Sequence, residues 1–203
     1  MTRSLRIVVA CAAALVAVGI GGLAVLMLFP GTAPRIVAPF TAAIGGPFTL
    51  TASDGRTVTD RSYRGKWQLI YFGYTNCPDT CPLALNNIGL ALQKLGPGAA
   101  DLQPLFITVD PKRDTRAVLA DYLKSFDPRI VALTGTEKQI AAIVSEYHVY
   151  VDLDEDGGKD SLVNHSSFFY VINPKGNFVN IVHGDASGDE LADKLQQMMK
   201  PTA

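Results

Sequence analysis

Two cysteines and a histidine are the side chains of this sequence best suited to metal or redox chemistry. Cys77 and Cys81 lie in the segment Gly73-Tyr-Thr-Asn-Cys77-Pro-Asp-Thr-Cys81-Pro82, where a proline follows each cysteine. Thiolates this close in sequence can close a disulfide or bind one soft metal cation between two sulfur atoms. The third cysteine, Cys11, lies in an apolar segment, where we expect it to be chemically inert.

The cysteine pair is predicted to lie between a buried strand and a helix. Residues 67–74 form a short apolar run of strand-forming residues, and residues 83–95 carry apolar residues at helical spacing. Because proline fits only in the first turn of a helix, we expect the helix to start near Pro82 and both cysteines to lie in a rigid loop above it. Backbone N–H groups and the helix dipole would stabilise thiolates there.

A purely structural disulfide is one interpretation of this pair. It is the weaker one, because closing so short a loop removes little entropy from the unfolded chain. A metal site would need a third ligand, and the sequence offers His148, His165 and His183. His165 directly precedes a predicted strand, and in a thioredoxin-like sheet that strand begins beside the cysteine loop. We therefore predict His165 as the third ligand and expect the other two histidines to be structural or exposed.

Two sulfur atoms and one imidazole favour copper among the common metals. Thiolates select Cu(I), and imidazole is a ligand for both Cu(I) and Cu(II). Zinc is the second choice, because it prefers a closed tetrahedral site or a water in the fourth position.

The elements around these residues predict an α/β fold. Asp54-Gly55 lies between two short strand patterns and indicates an N-terminal hairpin. Strands then alternate with helices, and residues 168–182 form a second hairpin before a closing helix over residues 187–199. This order is typical of a thioredoxin-like sandwich whose central sheet contains parallel strands, and we assign it to residues 47–203.

The segment before this domain is predicted to be a membrane anchor. Residues 7–29 contain no charged residue, and Arg3 and Arg6 precede them. The run is long enough to cross a bilayer once, and the positive-inside rule places the domain outside the cytoplasm. We therefore predict an anchor over residues 1–29 and a Pro- and Gly-rich linker over residues 30–46.

Composition excludes two broad classes of protein. A mean hydropathy of +0.18 with 48% hydrophobic residues excludes intrinsic disorder. Beyond the anchor the chain contains 16 of the 18 Lys and Arg residues and all 19 Asp and Glu residues, which gives a formal charge of −3. Since no basic stripe runs through the predicted domain, nucleic-acid binding is not expected.

Three motifs in order resemble the Sco/SenC family, the copper chaperones of cytochrome c oxidase assembly. Cys77-Pro-Asp-Thr-Cys81-Pro with the preceding Gly-Tyr-Thr resembles the cysteine motif of that family, and residues 109–115 resemble its DPxRDT segment. Asn164-His165-Ser166 is similar to its Asp-His-Ser motif, with asparagine in place of aspartate.

The resemblance implies copper bound by Cys77, Cys81 and His165. It also implies delivery of that copper to the copper-bearing subunit of cytochrome c oxidase, and a copper donor protein upstream. The expected location is the bacterial cytoplasmic membrane with the domain facing the periplasm, and the mitochondrial inner membrane is the second choice.

Two other functions stay open on the sequence, so it does not decide whether the chain is an enzyme. The first is a thiol–disulfide oxidoreductase that reduces the cysteines of the copper-receiving site. The second is a peroxide-reducing thioredoxin relative, which is disfavoured because no separate resolving cysteine is present. His165 discriminates between copper binding and dithiol exchange, since exchange does not require a third ligand.

Two acidic segments have simpler interpretations. Residues 152–157 match the beginning of an EF-hand loop, but Val163 stands where a bidentate glutamate is required, so we expect a solvated loop. Asp110, Arg113 and Asp114 are predicted to form a charge cluster that stabilises their own loop. Asp79, between the two cysteines, is expected to be a solvated residue, a contact to a partner or a residue that tunes the surroundings of the ligands.

Overall fold

The computed structural model describes residues 44–153 and 162–200. The predicted anchor, residues 30–43 of the linker and residues 154–157 of the acidic segment lie outside these ranges. Within residues 44–153 and 162–200, no helix combines the length and the apolar character needed to cross a membrane.

The described residues form a mixed sheet with flanking helices, as the alternating pattern predicts. The strands are β1 (Thr49–Ala52), β2 (Thr57–Thr59), β3 (Trp67–Gly73), β4 (Leu102–Thr108), β5 (Val131–Thr134), β6 (Val151–Leu153), β7 (Val163–His165), β8 (Phe168–Ile172) and β9 (Phe178–His183). The helices are α1 (Thr80–Leu95), α2 (Arg116–Tyr122), α3 (Glu137–Glu146) and α4 (Gly188–Met199).

Seven of these strands form the central sheet in the order β2-β1-β5-β4-β3-β8-β9. Strands β3, β4 and β5 are parallel, whereas β8 and β9 form an antiparallel hairpin that pairs with β3. The predicted N-terminal hairpin, β1–β2, joins the sheet through β5. This topology places the end of β3 and the start of β8 at the same edge of the sheet, and both predicted ligand segments lie at that edge.

The central strand β3 has side chains packed on both faces of the sheet. On one face the ring of Tyr71 stacks on Phe106, with 6.4 Å between ring centroids. On the other face Phe72 contacts Tyr147, which directly follows α3, at 5.5 Å. Helices α1 and α4 pack together, and Asn87 Nδ2 donates a hydrogen bond to the carbonyl of Ala186 at 3.0 Å. The prediction of an α/β sandwich is confirmed.

Two predictions about local structure were wrong. Helix α1 begins at Thr80, so Cys81 lies inside the first helical turn instead of in the loop above it. Pro82 is still within that turn, where its missing N–H leaves no helical hydrogen bond unmade. The second error concerns the acidic segment, because residues 151–153 form strand β6 and pair with β7, with Asp152 opposite Asn164.

Candidate metal centre

The structure brings the three predicted ligands together. Cys77 is half-buried in the loop after β3, Cys81 is buried in the first turn of α1, and His165 is the last residue of β7. Their ligand atoms all lie within 4.8 Å of one another, and Cys81 Sγ is 3.6 Å from His165 Nε2. In the part of the chain that the structure describes, no other group of three Cys, His, Asp or Glu side chains lies close enough to bind a metal ion.

The imidazole of His165 is oriented by its surroundings. Its Nδ1 lies 3.0 Å from the carbonyl oxygen of Ser166, and a proton on Nδ1 donates to that oxygen. This hydrogen bond leaves the lone pair of Nε2 directed at the cysteines, as a metal ligand requires. Tyr71 and Tyr74 meet the ring edge-on at centroid distances of 6.3 and 5.9 Å, so the ring is also held sterically.

The two neighbouring thiols differ in pKa. The thiol of Cys81 donates a hydrogen bond to Cys77, and this contact lowers the pKa of Cys77 to about 3. The same contact, together with burial, raises the pKa of Cys81. Thr80 Oγ1 lies 3.2 Å from Cys77 Sγ and adds a second donor. The half-buried Cys77 is therefore the more acidic of the two thiols, and metal binding must release the proton of Cys81.

A buried carboxylate fixes the chain just before Cys77. Asp114 is fully buried, and its Oδ2 accepts hydrogen bonds from Thr75 N at 3.0 Å and from Thr108 Oγ1 at 2.6 Å. Its Oδ1 accepts a third from Thr75 Oγ1 at 2.5 Å. Asp114 thus connects the end of β4 to the cysteine loop.

The predicted charge cluster stabilises more than its own loop. Arg113 forms an ion pair with Asp110, and its guanidinium lies 5.8 Å from the centre of the Tyr74 ring. The hydroxyl of Tyr74 accepts a hydrogen bond from the backbone N–H of Val163 at 3.2 Å. Tyr74 therefore joins the cysteine loop to the strand that carries His165. This role of Tyr74 is not evident from the sequence, although Tyr74 and Thr75 belong to the Gly-Tyr-Thr segment before the cysteines.

Replacing Asp114 should separate its charge from its hydrogen bonds. In Asp114→Ala three donors, of which the Thr108 hydroxyl is buried and the two of Thr75 are partly buried, lose their acceptor. We expect the free energy of unfolding to fall by about 2–4 kcal/mol. In Asp114→Asn the amide oxygen can take the place of Oδ2, and the Thr75 hydroxyl can rotate to accept from the amide nitrogen. We expect this variant to lie within about 1 kcal/mol of the wild type at neutral pH.

The pH dependence of stability distinguishes the two roles. Burial raises the pKa of Asp114 above its ordinary value of 3.8, so the unfolded chain releases this proton first as the pH rises. The stability of the wild type should therefore fall between pH 3.8 and the raised pKa, and Asp114→Asn should lack this fall. Chemical unfolding of the wild type and of Asp114→Asn at a series of pH values measures this difference in the pH dependence of stability. Equal pH slopes would show that burial does not raise the pKa of Asp114.

The remaining candidates are two histidines and Asp79, and none of them belongs to the ligand cluster. His148 is exposed after α3 and has a φ of 52°, and His183 is exposed at the end of β9, with its ring 5.2 Å from that of Phe168. Neither belongs to the cluster, as predicted. Asp79 is exposed at the N-cap of α1 and makes no side-chain capping hydrogen bond.

Comparison with known proteins places the chain in a family. The family model SCO1/SenC matches residues 37–200, which is most of the chain. The chain belongs to the SCO1/SenC family. The resemblance read from the three motifs is therefore confirmed, and the thioredoxin-like fold predicted with it agrees with the solved structures of the family.

Individual relatives show how far the similarity extends. Protein SenC of Rhodobacter capsulatus is 38% identical over 192 residues, which cover 92% of this chain and 86% of that protein. The human mitochondrial SCO1 homolog is 39% identical over 163 residues, covering 78% of this chain and 54% of the human one. The chain spans about half the length of the mitochondrial relatives that it matches.

A solved relative contains a metal. The structure of Bradyrhizobium japonicum ScoI with copper bound is 40% identical, with a TM-score of 0.71, and the match covers 76% of this chain and 99% of that one. The residues matched by the family model, 37–200, include Cys77, Cys81 and His165.

Proposed function

We propose that this chain is a copper metallochaperone that binds one copper ion through Cys77, Cys81 and His165 and delivers it to the copper-bearing subunit of cytochrome c oxidase during assembly. The observation that carries this proposal is the convergence of two sulfur atoms and one imidazole nitrogen within 4.8 Å. Membership of the SCO1/SenC family and the copper-bound ScoI of B. japonicum support it.

The arrangement of the ligands suits a transferable cargo. The two sulfur ligands favour Cu(I), and the imidazole also accepts Cu(II), so either oxidation state can be bound. Three protein ligands leave a position at which a ligand of the donor or receiving protein can attach. Cys77 is half-buried, whereas Cys81 is buried, so Cys77 is the sulfur that an incoming protein can reach first. Transfer then proceeds by exchange of ligands, with Cys81 and His165 released last.

Reduction of the disulfide in the receiving site is the alternative function. The thiolate of Cys77 beside a protonated Cys81 would suit attack on a disulfide. Dithiol exchange, however, makes no use of an imidazole whose Nε2 is directed at the sulfurs by a hydrogen bond on Nδ1. The position of His165 therefore favours copper.

We also propose the cellular arrangement. Residues 1–29 anchor the chain in the bacterial cytoplasmic membrane, residues 30–46 form the linker, and the domain faces the periplasm. The uncharged run over residues 7–29 and the preceding arginines support this placement. A copper donor protein in the same compartment would load the site.

The proposed function is tested by rescue of oxidase assembly in a strain that lacks the chain. Wild type and the control His183→Ala should restore oxidase activity, because His183 lies outside the ligand cluster. Cys77→Ser and Cys81→Ser should restore about a hundredth or less of the oxidase activity that the wild type restores, since each removes one soft anionic ligand. The copper-bearing subunit in the unrescued strain should lack copper. Full rescue by either cysteine variant would contradict the proposed function.

A further inference from the structure

Thr80 contacts one of the two ligand sulfurs at the exposed side of the metal centre. Its Oγ1 lies 3.2 Å from Cys77 Sγ. Thr80 is the first residue of α1, so no helical carbonyl lies one turn behind it to accept its hydroxyl proton, as happens for threonines inside helices. Its branched side chain is also restricted in rotation about the Cα–Cβ bond. The hydroxyl is therefore held against the sulfur of Cys77.

This contact is compatible with bound copper. The sulfur of Cys77 also contacts the side chains of Cys81 and His165, and both of these would become copper ligands. Cys81 then gives up its proton and His165 binds the metal through Nε2, so neither can donate a hydrogen bond to Cys77. The hydroxyl of Thr80 is not a ligand and keeps its proton. Because a coordinated thiolate carries no proton, Thr80 is the donor and Cys77 Sγ is the acceptor.

The two ligand sulfurs differ in their freedom to leave copper. Cys81 is fully buried in the first turn of α1. A Cβ atom added to Gly73 would lie 2.8 Å from the sulfur of Cys81, so the end of β3 packs directly against that sulfur. Cys77 is half-buried in the loop between β3 and α1. A small movement of this loop can take Cys77 off the metal, whereas Cys81 cannot leave without a shift of the helix.

We propose that Thr80 is a positioning residue for copper transfer and that its hydroxyl stabilises Cys77 as the first ligand to be released. The inference rests on the proposed function, in which Cys77, Cys81 and His165 bind the copper that is delivered. In this step the bond between copper and Cys77 Sγ breaks, and a ligand of the receiving protein donates its electron pair to copper in its place. The electron pair of the broken bond stays on the sulfur. Copper keeps its oxidation state, and Cys77 leaves as a thiolate without movement of a proton.

The hydrogen bond should accelerate release because it strengthens as the copper–sulfur bond breaks. A coordinated sulfur shares its electron pair with the metal, whereas a released thiolate carries the full negative charge. Hydrogen bonds to ionised acceptors are about twice as strong as those between neutral groups. An interaction that strengthens on the way to the transition state raises the rate of a step. We expect the hydroxyl of Thr80 to contribute about tenfold to the rate of copper release.

Transfer of Cu(I) to a colorimetric chelator tests this role of Thr80. The full chain, loaded with one equivalent of Cu(I), is mixed without oxygen with an excess of bathocuproine disulfonate, and the absorbance of the copper–chelator complex gives the rate of release. Thr80→Val replaces the hydroxyl by a methyl group of similar size, which also keeps water out of that position. This variant should release copper about tenfold more slowly. Thr80→Ser retains the hydroxyl and should stay within about threefold of the wild type.

Thr57→Val is the matched control, because it makes the same chemical change far from the metal centre. Thr57 is exposed on β2, and three strands separate β2 from β3, so copper release should be unchanged. The Cu(II) form gives a second readout that a purely structural role would not change. Since a hydrogen bond lowers the energy of the sulfur electrons, the thiolate charge-transfer band should move to longer wavelength in Thr80→Val and stay in place in Thr57→Val.

The outcomes separate this proposal from the one it rests on. Equal rates of release from Thr80→Val and the wild type would overturn the role of Thr80, and so would an unchanged charge-transfer band. Equal slowing in Thr80→Ser or in Thr57→Val would overturn it as well, because the hydroxyl at position 80 would not be the cause. All of these results leave the proposed function intact, since none of the substituted residues belongs to the ligand cluster. A wild-type chain that binds no copper would overturn the proposed function, and the role of Thr80 with it.

Discussion

His165→Ala should lose Cu(II) binding while the chain stays folded and its cysteines still exchange with disulfides. The substitution removes the only nitrogen ligand of the cluster and leaves both sulfur atoms in place. Cu(II) depends on the imidazole, whereas two thiolates can still bind Cu(I) in a low-coordinate site. We expect affinity for Cu(II) to fall by at least about 100-fold, and affinity for Cu(I) by about tenfold or less.

Copper binding and disulfide exchange are measured on the same preparation of each protein. Absorption in the thiolate charge-transfer region reports Cu(II) binding, and the rate of exchange with a small disulfide reports the dithiol. His183→Ala is the matched control, because it removes an imidazole that packs on Phe168 and lies outside the cluster. Intact Cu(II) binding in His165→Ala would remove His165 from the site. Normal oxidase assembly by a variant that no longer binds copper would favour the thiol-exchange function.

Oxidation of Cys77 and Cys81 to a disulfide should abolish high-affinity copper binding. The two sulfur atoms lie within 4.8 Å of each other, so closing a bond of about 2.05 Å requires only a small movement of the half-buried Cys77. The bond consumes both anionic ligands at once and leaves His165 as a single weak ligand. We expect a loss of at least about 1,000-fold in affinity, restored by reduction.

Copper and the disulfide are then mutually exclusive, and the redox poise of the compartment determines which form is populated. A Cys11→Ser background makes the test clean, because the thiol count then reports the pair alone. Copper retained in a one-to-one ratio by the fully oxidised chain would contradict this prediction. Copper lost equally by reduced and oxidised chains would show that the cysteines are not ligands.

The meeting of the three ligands was predictable from sequence, because it depends on topology. Cys77 follows a buried strand, Cys81 lies where Pro82 limits the start of a helix, and His165 precedes a strand. This order places all three ligands at the same edge of the sheet. The exact start of α1 was not predictable. Proline marks only the first turn, so Pro82 is compatible with a helix that begins at Thr80 and includes Cys81.

The residues that position the site were harder to predict because their contacts span long stretches of sequence. Thr75 and Asp114 are 39 residues apart, and Tyr74 and Val163 are 89 apart. No local pattern reports such hydrogen bonds. Strands β6 and β7 were missed for a similar reason, since each has three residues and only their pairing across the acidic segment makes them strands.

The X-ray absorption spectrum of the full chain loaded with one equivalent of copper identifies the atoms that bind the metal. We expect two sulfur atoms and one imidazole nitrogen around one copper ion, with one sulfur lost in Cys77→Ser or Cys81→Ser and the nitrogen lost in His165→Ala. A copper ion surrounded only by nitrogen and oxygen, or a spectrum that none of these variants changes, would contradict it.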